Sequence, residues 1–319
     1  MKKLLTTPVM GCTLVILSLT SLFVGVKSIP LEQITHLNQS QVDIFLASRL
    51  PRTISILISG ASLSVCGLLM QQLTQNKFVS PTTSGTMDWA KLGVVVTLIF
   101  FKNTSIFIQL CIASGFAILG SLLFVTILKM ITFKDNIFIP LIGLMLGQIV
   151  AATVFLGTHF QVLQSVNSWL QGNFSIMTSH RYEILYLALP CLFLVYFFAH
   201  QFTIVGLGES FAKNLGIAYE KMIYFGLVLV SIMTSLVIII VGALPFLGLI
   251  VPNLISLTKG DHMSSTILET SLLGACIVMI CDLFGRLVIF PYEVSIGVTL
   301  GVLGSAFFLI SIIRNEGKS

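Results

Sequence analysis

Long runs of hydrophobic residues alternate with short polar stretches along this chain. A run of about 20 residues is long enough to cross a hydrocarbon core as a helix, whereas the strands of a membrane barrel are shorter and alternate in polarity. The pattern predicts an all-α, polytopic membrane protein of about ten transmembrane helices, with residues 1–319 forming a single domain. The predicted segments are 5–26, 53–72, 87–101, 105–130, 137–158, 184–200, 223–241, 247–257, 265–288 and 294–312.

Two of these segments need their own interpretation. The first follows Lys2 and Lys3 as a signal peptide would, but it is long for that role and no small-residue cleavage site follows, so we interpret it as a retained span. The eighth, 247–257, is too short to cross a membrane and contains Pro252. It predicts a half-helix, and irregular backbone at that depth must be covered by protein or line a water-filled cavity.

Composition agrees with this pattern and narrows the chemistry. The chain is 56% hydrophobic and 9% charged, whereas a soluble domain carries about 25% charged residues. Its six cysteines lie in apolar runs without a CxxC pair, and its five histidines lack HxxxH spacing. We therefore expect no disulfide, no metal ligands and no cofactor.

The distribution of lysine and arginine predicts the orientation, because cytoplasmic ends carry more of these residues. With the N-terminus inside, eleven of the seventeen basic residues lie at inner ends, and an even number of crossings puts the C-terminus inside as well. Arg49, Arg52 and Arg286 then lie outside, against this bias. They are either interface anchors or a basic patch that attracts the carboxylates of a partner.

Small residues four positions apart predict close helix packing, as in Gly60–Ser64 and Gly143–Gly147. The polar stretch "GLGESFAKNLGI" at 206–217 lies between two spans on the predicted inner side. Its spacing predicts a short amphipathic helix, a glycine turn and a second short helix lying flat on the membrane. This stretch is either a docking module for a cytoplasmic protein or an ordinary connecting loop.

Residues that would carry other functions are scarce. No GxxxxGK[ST] loop occurs, so the chain cannot cradle ATP phosphates by itself, and no nucleophile–base pattern indicates an enzyme. A secondary transporter needs acids embedded in the membrane, for which Asp282 is the clear candidate. Arg286 lies four residues further on and can neutralise Asp282 on the same helix face, which favours a structural pair over a proton relay.

Six motifs in matching order resemble those of the FecCD family of ABC importer permeases, the type II importers for iron–siderophore chelates, haem and vitamin B12. Together they span nearly the whole chain, and it is their shared order that makes the resemblance specific. The motifs are "RLPR" at 49–52, "QNKFVSPTTSG" at 75–85, "GESFAKNLGI" at 208–217, "GALPFLGLIVPNL" at 242–254, "CDLFGR" at 281–286 and "EVSIGVTLGVLGSAFFL" at 293–309.

The chain departs from this family at several positions. Lys77 replaces the usual proline after Asn76, and Asn253 replaces the histidine after Pro252. Ser295 and Ala306 replace two prolines of the last motif. The stretch "SPTTSGTMDWAKLG" at 80–93 resembles the subgroup that imports catecholate-type siderophores such as petrobactin.

The resemblance implies a permease subunit in the bacterial inner (plasma) membrane that moves a ferric siderophore, of catecholate type, into the cytoplasm. Its implied partners are a cytoplasmic ABC ATPase dimer, a second permease subunit (identical or a paralogue), an extracytoplasmic siderophore-binding protein and membrane lipid, with no nucleic acid. Haem or vitamin B12 import by the same family remains an alternative, and ion-coupled secondary transport is a more distant one.

Four groups of residues are candidates for function. Docking of the binding protein is expected at Arg49, Arg52 and Arg286, and coupling to the ATPase at Gly208, Glu209, Ala212 and Gly216 within a loop of about 201–222. Inner-gate candidates are Asn76, Phe78, Asp135 and Asn136. Neutral polar side chains predicted to face the translocation path are Ser64, Gln71, Gln72, Asn253 and Ser256. Each of these five side chains either lines the path or only hydrogen-bonds between helices.

Overall fold

The computed structural model describes residues 6–25, 39–101, 104–131, 138–157, 171–175, 177 and 181–316, and this part of the chain is helical without strands. A π-helical turn, Phe45–Arg49, joins the second helix to the third, and a 3₁₀ turn, Tyr182–Leu187, precedes the seventh. The helices are α1 (Thr7–Phe23), α2 (Gln39–Ile44), α3 (Leu50–Thr74), α4 (Thr86–Phe100), α5 (Ile106–Met130), α6 (Phe138–Gly157), α7 (Ala188–Phe197), α8 (Ala199–Gly206), α9 (Glu209–Asn214), α10 (Tyr219–Ile240), α11 (Leu247–Lys259), α12 (Met263–Leu287) and α13 (Ile296–Glu316).

Four helices of the described chain are long and apolar enough to cross a membrane: the continuous 41–74 helix, α5, α10 and α12. A fifth span results if residues 182–197 and 199–206, which bend by 61° at Phe198, are counted together. The all-α, polytopic fold is therefore confirmed. The number of about ten crossings stays a prediction, since α1, α11 and the apolar parts of α6 and α13 are shorter.

Helix α3 is the centre of the bundle and packs against α12, α11, α10 and α8. Most residues of α3 are buried. Its small residues contact the backbones of the neighbouring helices. Gly60 and Ser64 lie against Gly274 of α12, and Gly67 lies against Gly248 of α11. The close packing predicted from small residues is confirmed here, because a side chain at these glycines would overlap the neighbouring backbone.

Helix α11 begins in the middle of the bundle, where Gly248 touches Gly67, and ends beside the C-terminus of α3. Its 13 residues rise about 20 Å, which is too short for a crossing. The chain enters it through Phe246, whose φ is +60°, and Pro252 lies inside the helix. The predicted half-helix is confirmed, and its irregular entry is covered by residues 171–173 and by α13.

Candidate functional site

The first functional candidate is the end of the bundle at which α3 begins and α1 ends, here called the arginine end. The last carbonyls of a helix have no partners within that helix. Arg49 donates from Nη1 to the carbonyls of Leu22 (2.5 Å) and Phe23 (3.3 Å). Arg286 donates to the carbonyls of Ser21 (3.1 Å) and Val24 (3.0 Å). Two guanidinium groups therefore cap the C-terminus of α1, where the helix dipole favours positive charge.

The same end holds an ion-pair network that is closed within the chain. Asp282 accepts a hydrogen bond from Arg286 Nε at 2.8 Å and, on its other oxygen, one from Arg52 Nη2 at 2.8 Å. Arg52 also pairs with Glu293 at 2.9 Å. The predicted pairing of Asp282 with Arg286 is confirmed. Together with the caps of α1, this network places three arginines beside two carboxylates, those of Asp282 and Glu293.

The arginine end therefore differs from the simple expectation of an exposed basic patch. The three arginines do come together, but Arg49 and Arg286 are buried, at 7% and 6% exposure, and serve as caps for α1. Arg52 is the most accessible of the three, with 13% of its side chain exposed. A part in docking a partner stays a prediction for these residues.

The second candidate lies at the opposite end of α3 and is here called the Lys77 end. The backbone carbonyl of Lys77 accepts two amide hydrogen bonds, from Gln71 Nε2 (2.9 Å) and from Asn253 Nδ2 (3.0 Å). The Lys77 ammonium pairs with Asp261 at 2.8 Å and donates to Ser256 Oγ at 3.1 Å. One residue thus connects the end of α3, helix α11 and the loop between α11 and α12.

These residues surround a polar cavity of about 180 Å³. Gln71, Gln72, Gln75 and Asn76 line it from the end of α3, while Pro252, Ser256 and Asp261 line it from α11 and the following loop. Lys77 and Asp261 are the charged residues of this lining, and their charges cancel. The cavity walls therefore present neutral amides and hydroxyls together with one compensated ion pair.

Asp261 remains ionised in this setting. Partial burial raises the pKa of its carboxyl group, but the hydrogen bonds from Lys77 and Ser256 and the Lys77 charge outweigh that effect. The pKa of Asp261 therefore lies below its ordinary value, and the carboxylate keeps its charge at neutral pH.

The structure brings together most of the predicted path and gate residues. Gln71, Gln72, Ser256 and Asn76 line the cavity, and Asn253 adjoins it through the Lys77 carbonyl. Gln71, Gln72 and Asn253 also donate hydrogen bonds to backbone carbonyls of neighbouring loops, and a part in the translocation path stays a prediction for all of these side chains.

Of the four remaining gate or path candidates, the structure describes two, and both lie outside the cavity lining. Ser64 lies apart from the cavity, in the contact between α3 and α12. The backbone N–H of Phe78 donates to Asn76 Oδ1 at 2.8 Å, which sets the course of the loop beyond the cavity lining. Asp135 and Asn136 lie outside the described residues.

The third candidate is the coupling segment, residues 207–217. Helix α9 begins after Gly208 (φ +110°) and is followed by Gly216 (φ +75°). The Lys213 ammonium, through its hydrogen bond and its charge, lowers the pKa of Glu209. Ala212 is buried and anchors the segment, while Phe211 is 60% exposed. The predicted second short helix is wrong, because the chain continues from Gly216 directly into the long α10.

Sequence reasoning missed several charged residues that the fold brings together. The sequence pattern predicts no role for Asp261 or Glu293. The structure pairs Asp261 with Lys77 and Glu293 with Arg52. Glu269, which is 5% exposed, forms an ion pair with Lys259 and accepts a hydrogen bond from Thr7 at the start of α1. In the part of the chain that the structure describes, no group of three or more His, Cys, Asp or Glu side chains is arranged to hold a metal ion.

The start of the half-helix, the two arginines that cap α1 and the glycine-flanked α9 lie within four of the six motifs. The chain belongs to the FecCD transport family, whose sequence pattern matches residues 13–314. It is 49% identical over 304 residues to the petrobactin import system permease protein YclN of Bacillus subtilis (strain 168), with 95% of this chain and 96% of that protein covered. It is 36% identical to the ferric-anguibactin transport system permease protein FatD of Vibrio anguillarum, with 92% and 94% covered.

The fold also agrees with that of a solved protein. An ABC transporter described as of metal-chelate type, in an inward-facing conformation, superimposes with a TM-score of 0.81. The two chains are 24% identical, and the superposition covers 96% of this chain and 97% of the other. At this level of identity the likeness concerns the fold.

Proposed function

We propose that this chain is the transmembrane permease subunit of an ABC importer that carries a ferric siderophore of catecholate type into the cytoplasm. The observation that carries the proposal is the 49% identity, over nearly the full length of both chains, with a petrobactin import permease. The cavity at the Lys77 end supports it, since its neutral polar walls and cancelled charges present no fixed negative barrier to an anionic chelate.

ATP is hydrolysed by a separate cytoplasmic ATPase dimer, and the coupling segment is its docking site. The segment combines an anchored residue, Ala212, with the exposed apolar side chains of Leu207, Phe211 and Leu215. Exposed apolar side chains on a short helix fit a groove on a partner protein. A second permease subunit, identical or a paralogue, completes the translocation path.

This function requires both termini and the Lys77 end to face the cytoplasm of a bacterial cell, with the arginine end outside. The charge bias of the sequence supports that orientation. Labelling of single cysteines introduced at Ser210 and at Tyr292 in intact cells tests it. Labelling of the Ser210 variant by a membrane-impermeant reagent would contradict it.

Uptake by the reconstituted complex tests the function itself. The proteoliposomes contain both permease subunits and the ATPase, and the binding protein is added outside. They should accumulate ferric petrobactin only when ATP is present on the side of the membrane that carries the ATPase. Haem and vitamin B12 serve as competing cargoes, and an ion gradient without ATP serves as the competing energy source. Uptake of either competing cargo in preference, or uptake driven by the gradient alone, would overturn the proposal.

The arginine end is proposed to dock the extracytoplasmic binding protein through Arg52, the most accessible of its three arginines. Glu293 competes for Arg52, so Glu293→Gln should strengthen docking to an acidic partner, and Arg52→Gln should weaken it. Both substitutions leave the Arg49 and Arg286 caps of α1 in place. Equal affinities of the two variants and the parent for the binding protein would contradict a docking role.

A further inference from the structure

Lys77 makes two kinds of connection at the Lys77 end. Its backbone is held by hydrogen bonds from Gln71 and Asn253 to the carbonyl, and these bonds fix the loop to α3 and α11. Its side chain extends across to Asp261, in the loop that leads into α12. The backbone contact positions the residue. The side-chain contact joins two loops that are distant from each other along the chain.

The side-chain contact is built to be reversible. The side chains of Lys77 and Asp261 are 57% and 56% exposed, so water can replace each partner when they separate. An ion pair at such exposure stabilises a structure only slightly, because water screens the two charges. By contrast, the Asp282 pairs at the arginine end have one partner only 3% exposed. Of these two ion-pair sites on α3 and its neighbours, the pair at the Lys77 end is the one that can open and close at low cost.

Ser256 makes the pair more specific. Its hydroxyl donates to Asp261 Oδ1 and accepts from the Lys77 ammonium. The three side chains thus form a closed triangle at the wall of the cavity, between the end of α11 and the two loops. Lys77 stands where the resembling motif has proline, which lacks an ammonium group, so the triangle depends on this departure.

We propose that Lys77 and Asp261, seated on Ser256, form an ionic strap that closes the cavity at the Lys77 end and separates each time cargo leaves. This inference rests on the proposed transport function and specifies how its inner exit is held shut. When the strap opens, both charged groups stay at the exit, so the net charge that an anionic chelate meets there remains zero.

Passive leak measures the strap without the ATP cycle. Vesicles with the permease–ATPase complex are loaded with ferric petrobactin, and its efflux is followed without ATP. Lys77→Gln and Asp261→Asn should each raise efflux about two- to fivefold, the range expected for an exposed ion pair. High salt should raise the parent's efflux toward that of the variants, because screening weakens exposed pairs.

Two further variants make the leak test specific. The exchange of Lys77→Asp with Asp261→Lys should return efflux close to the parent value. Lys129→Gln is the matched control, since it removes another exposed ion pair, with Glu220, elsewhere on the protein. Efflux unchanged in both single variants, or raised equally by the Lys129→Gln control, would overturn the strap.

Cross-linking tests whether the strap must open. Lys77→Cys and Asp261→Cys are combined and joined by a reducible bifunctional thiol reagent, with each single variant as a control. Joining the two sites should abolish ATP-driven uptake, and reduction should restore it. Uptake at the uncross-linked rate would show that the two residues need not separate.

A readout that needs no cargo separates failure of the strap from failure of the proposed function. The yield of the cross-link should differ between the nucleotide-free complex and the complex trapped with ATP and vanadate, because only a state with an open exit holds the two sites apart. If ferric petrobactin is not transported but this yield still differs, the cargo assignment fails and the strap stands. A yield that is the same with and without ATP and vanadate would overturn the strap itself.

Discussion

Gly67→Ala is the substitution whose effect follows most directly from the structure. A Cβ at this position would lie 1.9 Å from the carbonyl oxygen of Gly248 and 2.4 Å from its Cα. An ordinary contact begins near 3.4 Å, so α3 and α11 would have to move apart by about 1.5 Å. The obstacle is backbone, which cannot rotate away as a side chain does. We therefore expect a loss of stability at or above the top of the usual overpacking range of about 1–3 kcal/mol.

The control is Gly115→Ala in α5, where an added Cβ meets nothing within 4 Å. That variant should keep or slightly increase stability, since alanine favours a helix by about 1 kcal/mol over glycine. The measurement is the midpoint of thermal unfolding of the purified complex in detergent, followed by size-exclusion chromatography after heating. A Gly67→Ala protein that survives heating as well as Gly115→Ala would refute the inferred contact between α3 and α11.

Three other outcomes are expected. Asp282→Ala leaves Arg52 and Arg286 facing each other without their shared carboxylate and should cost about 3–5 kcal/mol, whereas the more exposed Glu293→Ala should cost about 0–1 kcal/mol, as measured by thermal unfolding. Gly216→Val should abolish transport while Gly216→Asn retains it, since only the second residue tolerates the left-handed φ of +75°; equal uptake would contradict a coupling role. Asn76→Ala removes the Asn76–Phe78 hydrogen bond and should increase passive efflux of loaded ferric petrobactin, and parent-like efflux would count against a gate there.

Contacts close in sequence were accessible to prediction. Asp282 and Arg286 share a helix face because they lie four residues apart, and the half-helix followed from the length of its apolar run and from Pro252. The predicted segment 53–72 falls inside α3, which extends to Leu50 because Pro51 suits the first turn of a helix. Periodicity and spacing therefore located the elements and their small-residue faces.

Contacts distant in sequence were not accessible. Lys77 and Asp261 lie on different loops, and no local pattern indicates that one reaches the other. The caps of α1 were missed for a related reason, since an arginine that serves a carbonyl 27 residues earlier leaves no periodic signal. The sequence correctly predicts that the three arginines lie at one end of the bundle. Which carboxylates pair with Arg52 and Arg286 depends on how the helices assemble, because Glu293 and Arg52 are distant in sequence.

The Arg52–Asp282 pair has a consequence for how the protein is made. The two residues are 230 positions apart, and a ribosome adds about 5–20 residues each second. Arg52 therefore enters the membrane tens of seconds before its carboxylate is synthesised. Because Arg52 lies in the first turn of α3, its guanidinium can remain solvated in the headgroup region during that interval. Insertion of α12 then delivers Asp282 and joins α3 to α12 late in synthesis, with α13 still to follow.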